Sequence, residues 1–245
     1  MVKCYKFIAL VICGLSLMGG SMAWAAQSYV YEATGDVKAA TGGALPVAVT
    51  KGQLLPDNTT VTVGPQSSAI LKFEDGTVIL LNENSAFQIQ KYAYNNQDPS
   101  KISALFSMLR GGFRAVTGLI SSRNREAFKV ATPLATIGIR GTDFMVQLVN
   151  PLYMHVNVGE VGLTNDGGTS FFRAGQTALV QTRTTLARSI PSAPPGTFGR
   201  MGDVQLPPSV PGLAPVPPPP GFTGTIPGST PTPGGGGSGA PVSPN

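Results

Sequence analysis

The sequence TPLATIGIRGTDFMVQ, which spans residues 132–147, decides the fold class of this chain. An apolar run interrupted by Gly138, an Arg-Gly-Thr step, and an alternating exit through Phe144 and Val146 predict a strand, a tight glycine turn and a second strand. We therefore expect the core hairpin of an all-β domain at this position.

A single guanidinium lies in the middle of this apolar run. A buried guanidinium needs a carboxylate or several carbonyl oxygens as partners, and Asp143 and Glu160 are the nearest carboxylates in the sequence. We predict that Arg140 is a buried clamp. The structural motif that would hold the domain in shape comprises Arg140, Gly141, Thr142 and Asp143.

The Asp75-Gly76 step predicts a second hairpin, because it lies between two apolar runs. Asp-Gly at such a place favours a two-residue turn with positive φ, which would set Phe73 opposite Val78. Since both flanking runs are apolar throughout, we expect this hairpin to be buried on both faces. Asp75 is better explained as a turn residue than as a catalytic acid.

Short β-branched and alternating runs, separated by Gly-centred turns, continue along most of the chain at intervals of roughly ten residues. Residues 101–114 fit both helical and strand spacing, and the surrounding pattern favours a strand. No fixed-period repeat is present. The sequence therefore predicts an all-β fold, either an irregular β-solenoid-like domain or a twisted β-sandwich.

Three segments of unlike composition follow one another. Residues 1–25 have a positive start, an apolar stretch and small residues near Ala25, which predicts a cleaved secretory signal peptide and a periplasmic or secreted protein. An uncleaved anchor would need about 20 apolar residues, more than are present. Residues 26–188 are the predicted β domain. Residues 189–245 are rich in Pro and Gly and are predicted to be a disordered tail: a spacer, a ligand for a proline-binding groove, or inert.

Charge and cysteine usage narrow the possible functions. Both cysteines, Cys4 and Cys13, lie in the predicted signal peptide, so the mature chain would contain no disulfide and no thiolate site. The net charge is +5. A loose basic region, which could contact anionic lipid or nucleic acid, is better explained as a solvated face, and we expect no nucleic-acid partner. It comprises Lys101, Arg110, Arg114, Arg123, Arg125 and Lys129.

Residue types that carry catalysis or bind metals are sparse. His155 lies in an alternating strand without a second histidine nearby in sequence, whereas zinc sites use three or four protein ligands. The carboxylates form no evident catalytic pair, and no Gly-rich phosphate loop precedes a helix. We therefore predict no catalytic residue, no cofactor and no metal site, and we expect that the protein is not an enzyme.

Taken in order, the motifs resemble the FecR domain, named for the iron-dicitrate sensor and anti-sigma regulators of bacterial envelopes. The strongest part is residues 131–144, which contain Gly138-Ile139-Arg140-Gly141-Thr142-Asp143-Phe144. The other parts are Gly35-Asp36-Val37, Lys51-Gly52, residues 69–77, Asn84-Ser85, residues 110–114, residues 156–161 and Ala174-Gly175-Gln176.

The resemblance implies an extracytoplasmic all-β domain that binds other proteins. Because the anti-sigma segment, membrane helix and signalling domain of the family's regulators have no match in this sequence, we expect a freestanding exported form without a transmembrane helix after signal cleavage, and direct sigma-factor control is not carried over. We expect a non-catalytic protein-interaction or sensory module whose partner is an envelope protein. The alternative is a structural surface or adhesin-like protein, in which a solenoid stalk and the Pro/Gly segment act as spacers. The sequence does not fix the partner or the oligomeric state.

Overall fold

The computed structural model describes residues 28–209. The predicted signal peptide and residues 210–245 of the predicted tail lie outside this range. The described residues are almost entirely strand and turn, which confirms the all-β prediction. The strands are β1 Ser28–Thr34, β2 Val37–Thr41, β3 Val47–Ala48, β4 Thr59–Val63, β5 Ser68–Phe73, β6 Val78–Leu81, β7 Ala86–Ala93, β8 Ser103–Val116, β9 Phe128–Ala131, β10 Thr136–Leu148, β11 Leu152–Asn165, β12 Gly168–Arg173, β13 Thr177–Val180 and β14 Arg188–Ile190. The helical turns are α1 Ile120–Arg123 and two 3-10 turns, Pro99–Lys101 and Gly199–Gly202.

Hydrogen bonds join all these strands into one open sheet around a single main core. The order along the sheet is β14-β13-β11-β10-β9-β8-β7-β4-β2-β3, with β12 beside β11 and the group β1-β5-β6 attached to β8. Strand β8 covers the ambiguous segment 101–114 from residue 103 onwards, which confirms the preference for a strand. It pairs with β7 and β9 along its first half and with β6 and β10 along its second half.

The three longest strands each contain a glycine with positive φ. These are Gly111 in β8 (φ 82°), Gly141 in β10 (φ 64°) and Gly159 in β11 (φ 85°). The pairing of β10 with β11 shifts register at this level, which marks a β-bulge. The prediction of a tight turn at Gly141 is therefore wrong: β10 continues through it, and the chain reverses after Leu148 instead.

The bulges change which residues face the core. Before Gly141 the inward side chains on β10 are Ile137 and Ile139, and beyond it they are Phe144 and Val146. Side chains alternate between the faces of a strand, so odd and even positions can exchange faces only where an extra residue interrupts the pairing. Along each long strand, the outward-facing residues before the glycine therefore form one part of the outer surface, and those after it form another part of different composition.

The hairpin around Asp75 and Gly76 is present with a different register. Lys72 pairs with Val78, and the Phe73 N–H donates to the Thr77 carbonyl (3.0 Å), so the loop contains three residues rather than two. The prediction that Phe73 faces Val78 is therefore wrong by one residue. Gly76 has φ 90° at the third loop position, as three-residue hairpin loops require. All four residues of β6 are buried, as the apolar flanks predict.

A segment that we call the C-terminal strap, residues 191–206, covers the outer face of β6 and neighbouring strands. Its side chains Phe198, Met201 and Leu206 are buried in a second apolar cluster with Leu80 and Met145. The described part of the chain remains packed to this point, so the domain boundary predicted at residue 188 is too early. Three apolar side chains spaced through a Pro/Gly-rich run provide this packing, although the composition of the run as a whole predicts disorder.

Candidate functional site

A buried ion pair lies beneath the strap. The Arg114 side chain is completely buried, and its Nε and Nη2 donate to the two carboxylate oxygens of Asp143 at 2.9 and 2.7 Å. Asn157 Nδ2 donates to the same carboxylate (3.0 Å), and Arg114 Nη1 donates to the Val204 carbonyl of the strap (3.2 Å). Such bidentate pairs fix both position and orientation. This pair therefore joins β8, β10, β11 and the strap.

Arg140 does not have the predicted role. Its side chain is 56% exposed, and its Nη1 lies 3.2 Å from Glu160 Oε1. Glu160 is one of the two partners expected from the sequence, but the prediction that Arg140 is buried is wrong. Arg140 and Asp143 both point outward from the core, because the bulge at Gly141 shifts the alternation of β10 between them. Arg140 lies before the bulge, where the outer surface is uncovered, and Asp143 lies after it, beneath the strap.

The other members of the predicted motif lie at the junction of β8 and β10. Thr142 and Asp143 are buried, and the Thr142 N–H donates to Thr117 Oγ1 (2.8 Å). The Thr117 N–H in turn donates to the Thr142 carbonyl (2.9 Å). Gly141 supplies the positive φ of the bulge. The structure thus places Gly141, Thr142 and Asp143 together at the bend.

Asp75 lies in the loop of the first hairpin and is also buried. Its carboxylate accepts hydrogen bonds from the Tyr92 hydroxyl (2.9 Å), from Thr77 Oγ1 (2.7 Å) and from the Ile120 N–H (3.3 Å). Burial, reinforced by the adjacent carboxylate, raises the pKa of Tyr92 far above its ordinary value, so the phenol remains a donor. Asp75 therefore connects the hairpin with β7 and α1.

His155 lies beside the strap. Its Nδ1 is 2.9 Å from Thr177 Oγ1, and its ring centroid is 6.3 Å from that of Phe198. Burial lowers the pKa of His155, and the negative charge of Asp143 opposes this shift. The described residues include no group of three or more His, Cys, Asp or Glu side chains that could hold a metal ion. His155 is thus a packed, hydrogen-bonded strand residue.

The opposite side of the glycine bulges carries the candidate functional surface, which we call the open face. It is the outward face of five neighbouring strands, β8, β9, β10, β11 and β12, and continues onto β7. One cross-strand row runs through its middle. The row consists of Lys91, Leu105, Lys129, Gly138, Gly162 and Phe171. A second row of hydroxyl side chains lies beside it and includes Thr136, Thr164 and Thr169.

Three charged residues form a third row on the open face. Arg140 pairs with Glu160, which in turn pairs with Arg173 across the three strands. Both arginines contact the one carboxylate, at 3.2 and 3.1 Å. The Arg140 guanidinium also lies 5.5 Å from the centre of the Phe171 ring, a cation–π contact. The open face therefore carries more positive than negative side chains.

The basic region expected from the sequence is not a single surface. Arg114, one of its members, is buried beneath the strap, whereas Lys129 lies on the open face. Arg140 and Arg173, which the prediction did not group with Lys129, lie on the same face as Lys129. The signal that could have found this arrangement is the pairing of strands, because cross-strand neighbours share a face.

Sequence reasoning missed the role of Arg114 as the buried partner of Asp143, although the local pattern contains a signal. Phe113 and Ala115 on either side of it are core residues, so alternation assigns Arg114 to the outer face. What alternation does not reveal is that the strap covers this part of the outer face. The strap's three apolar side chains are the second signal that was missed.

The geometry defines a class: an all-β domain in which the chain's own C-terminal strap covers one outer face, above an internal ion pair, and another outer face is left open. Residues 59–162 match the family model of the FecR protein, so this part of the chain is a FecR domain. The matched range contains both the Arg114–Asp143 pair and most of the open face. No helix among residues 28–209 is long and apolar enough to cross a membrane.

Comparisons with whole proteins give weaker likenesses. No curated protein matches the sequence significantly. Two crystal structures, at 1.65 and 2.50 Å resolution, come from Parabacteroides distasonis and are described as a "putative anti-sigma factor". Each is 17% identical to this chain, with TM-scores of 0.42 and 0.43, and each match covers 54% of this chain and 58% of that one. The chain thus spans less than two thirds of these similar structures.

Proposed function

We propose that this protein is a non-catalytic binding module of the bacterial envelope, with a sensory or regulatory role, and that it contacts its protein partner through the open face. The observation that carries the proposal is the contrast between the two outer faces. One is sealed by the strap, while the other presents Phe171, with its side chain 57% exposed, next to Arg140 and two backbone glycines.

Membership of the FecR family supports the regulatory part of this proposal. The segment 1–25 supports an extracytoplasmic site, because its composition is that of a secretory signal peptide. The presence of a single histidine in the sequence and the structural roles of Asp75 and Asp143 support a function without catalysis. Exposed aromatic and arginine side chains are typical of protein-contact surfaces.

The experiment places a photo-crosslinking amino acid at Thr136, on the open face, or at Lys38, an exposed position on β2 at the far end of the sheet. We expect a discrete, saturable protein adduct in envelope fractions from the Thr136 position only. Mass spectrometry then identifies the partner. Equal labelling from Lys38, or no adduct from either position, contradicts the assignment of the open face.

The same experiment tests the alternative function. A structural surface or adhesin-like protein would associate in bulk with cell-wall polymer rather than with one protein. In that case both positions would yield heterogeneous material that glycan-degrading enzymes release. Such a result would replace the sensory assignment with the structural one.

A further inference from the structure

Gly138 is a glycine that neither the backbone nor the packing requires. Its φ lies outside the positive range, and a Cβ added to it would meet no atom within 4 Å among the described residues. Glycine in a strand costs stability relative to other residues, and often marks a place where a ligand or another backbone comes close. What glycine provides at this position is therefore open space above the sheet.

The neighbouring strand also has a glycine on this face. Gly162 is the cross-strand partner of Gly138, but unlike Gly138 it is covered by an aromatic ring. On the far side of Gly162, the Phe171 ring leans inward: a Cβ on Gly162 would lie 3.0 Å from Phe171 Cε1. On the other side, Lys129 is the partner of Gly138. The result is a shallow floor at Gly138, with the Phe171 ring on one side and the Lys129 side chain on the other.

The charge on this floor has one sign in excess. Lys91 and Lys129 lie in the same row as the two glycines, and Arg140 and Arg173 lie beside it. The acidic side chain in these rows is Glu160, and both arginines already contact its carboxylate. A ligand that crosses the row would therefore find uncompensated positive potential.

We propose that the open face binds an acidic, extended segment of a partner protein, whose backbone passes over Gly138 beside the Phe171 ring. Carboxylates of the segment pair with Lys129 and the neighbouring cations, and one apolar side chain packs on Phe171. This inference rests on the proposed function and names the chemistry of the partner.

The observations favour a peptide over an anionic polysaccharide. The uncovered backbone at Gly138 suits the close approach of another main chain. Phe171 with adjacent cations suits a segment that combines an apolar side chain with carboxylates.

Fluorescence anisotropy with the purified full chain provides the test. The probe is a fluorescein-labelled twelve-residue peptide, of our design, in which Glu and Ser alternate around a central Leu. Its control has Gln at every Glu position, and polygalacturonate is the competing anionic glycan. We expect the Glu peptide to bind, the Gln peptide to bind at least about tenfold more weakly, and added salt to weaken the Glu complex.

Variants then locate the binding. Gly138→Val fills the open space above the backbone, and Lys129→Glu reverses the charge beside it. Each change should therefore weaken binding of the Glu peptide about tenfold or more. Lys38→Glu makes the same charge change at a distance and should alter the affinity less than about twofold. The midpoint of thermal unfolding of Gly138→Val should be equal to or higher than that of the parent, which separates lost binding from lost folding.

Several results would overturn the inference. These are undetectable binding of the Glu peptide, equal binding of the Glu and Gln peptides, or unchanged affinity in Gly138→Val. Saturable binding of polygalacturonate in place of the peptide would assign the face to a glycan instead. A protein crosslinked from Thr136 through a segment without acidic residues would leave the proposed function standing and refute this chemistry.

Discussion

The covered face and the open face share three long strands, β8, β10 and β11. Beyond the bulges, β8 and β10 turn Arg114 and Met145 outward, and the strap covers both. Before the bulge, β10 turns Gly138 and Arg140 outward, and Arg140 remains more than half exposed. Two arginines on neighbouring strands of one sheet thus have opposite environments. The difference shows that a residue's position along its strand determines where on the outer surface its side chain lies. Whether the strap covers that place determines whether the side chain is buried.

The energetic consequences of the two faces differ for the same reason. A charge that water reaches interacts with its partner in a high dielectric, so the pair contributes little. A charge removed from water needs its partner, because an unpaired buried ion costs several kcal/mol. Substitutions on the covered face should therefore lower the stability of the fold. Substitutions on the open face should change its stability little but weaken binding of the partner.

The largest effect is expected for Arg114→Met. This change leaves the Asp143 carboxylate buried without its guanidinium partner, although Asn157 Nδ2 still donates to it (3.0 Å). It should lower the free energy of unfolding by roughly 3–5 kcal/mol. Urea denaturation followed by circular dichroism measures the change. The double variant Arg114→Met with Asp143→Leu should recover part of the loss, because apolar replacement of both partners removes the unpaired charge. A loss below that of Arg140→Ala would contradict the assigned difference between the faces.

The second effect concerns the strap. Phe198→Ala removes a buried side chain from the cluster on the covered face, and should cost roughly 3 kcal/mol. We also expect the weakened strap to detach locally before the sheet unfolds, which should increase the binding of a hydrophobic dye. Leu186→Ala, at an exposed apolar position, is the control and should change stability by less than about 0.5 kcal/mol. Equal midpoints for Phe198→Ala and its parent would mean that the strap does not stabilise the sheet.

Much of the fold could be predicted from the sequence because its signals are local. Alternation and glycine-centred turns located most of the strands, and the apolar flanks around Asp75 predicted double-sided burial. The bulge at Gly141 could not be distinguished from a turn, since both use a glycine with positive φ. Pairing with β11, which involves residues some twenty positions away, decides between them.

The candidate surface was less accessible to sequence reasoning. Lys129, Gly138, Gly162 and Phe171 lie on four different strands and share a face only through their register. The covering of Arg114 depends on residue 204, 90 positions later in the chain. Composition suggested disorder for this segment because prolines and glycines outnumber its three anchoring side chains.

The third effect tests the boundary between the two faces. Gly159 has φ 85°, and a Cβ there would lie 2.0 Å from the Gly141 carbonyl oxygen. Gly159→Ala should therefore lower the free energy of unfolding by about 1–3 kcal/mol. Gly43 has φ 82° with no atom within 4 Å of its built Cβ among the described residues, so Gly43→Ala isolates the backbone contribution. If thermal melts show the same loss for both variants, the close contact between the two bulges has no energetic role.

The fourth effect has the opposite sign. Gly138→Val should raise the free energy of unfolding by about 0.5–1 kcal/mol, because valine favours strands and the space is vacant. Gly162→Val is the matched control, since its side chain would displace the Phe171 ring and should gain less. Urea denaturation compares the two variants. A destabilised Gly138→Val would show that the glycine serves the fold rather than a ligand.

The smallest effect is expected for Arg140→Ala. The residue is exposed, and Glu160 retains Arg173 as a partner (3.1 Å) after the change. We therefore expect a loss of about 0.2–1 kcal/mol, which added salt should reduce further. Thermal melts at low and high ionic strength measure it, with Arg173→Ala as the matched control on the same carboxylate. A loss as large as that of Arg114→Met would mean that Arg140 is the internal clamp after all, and that the open face is closed in solution.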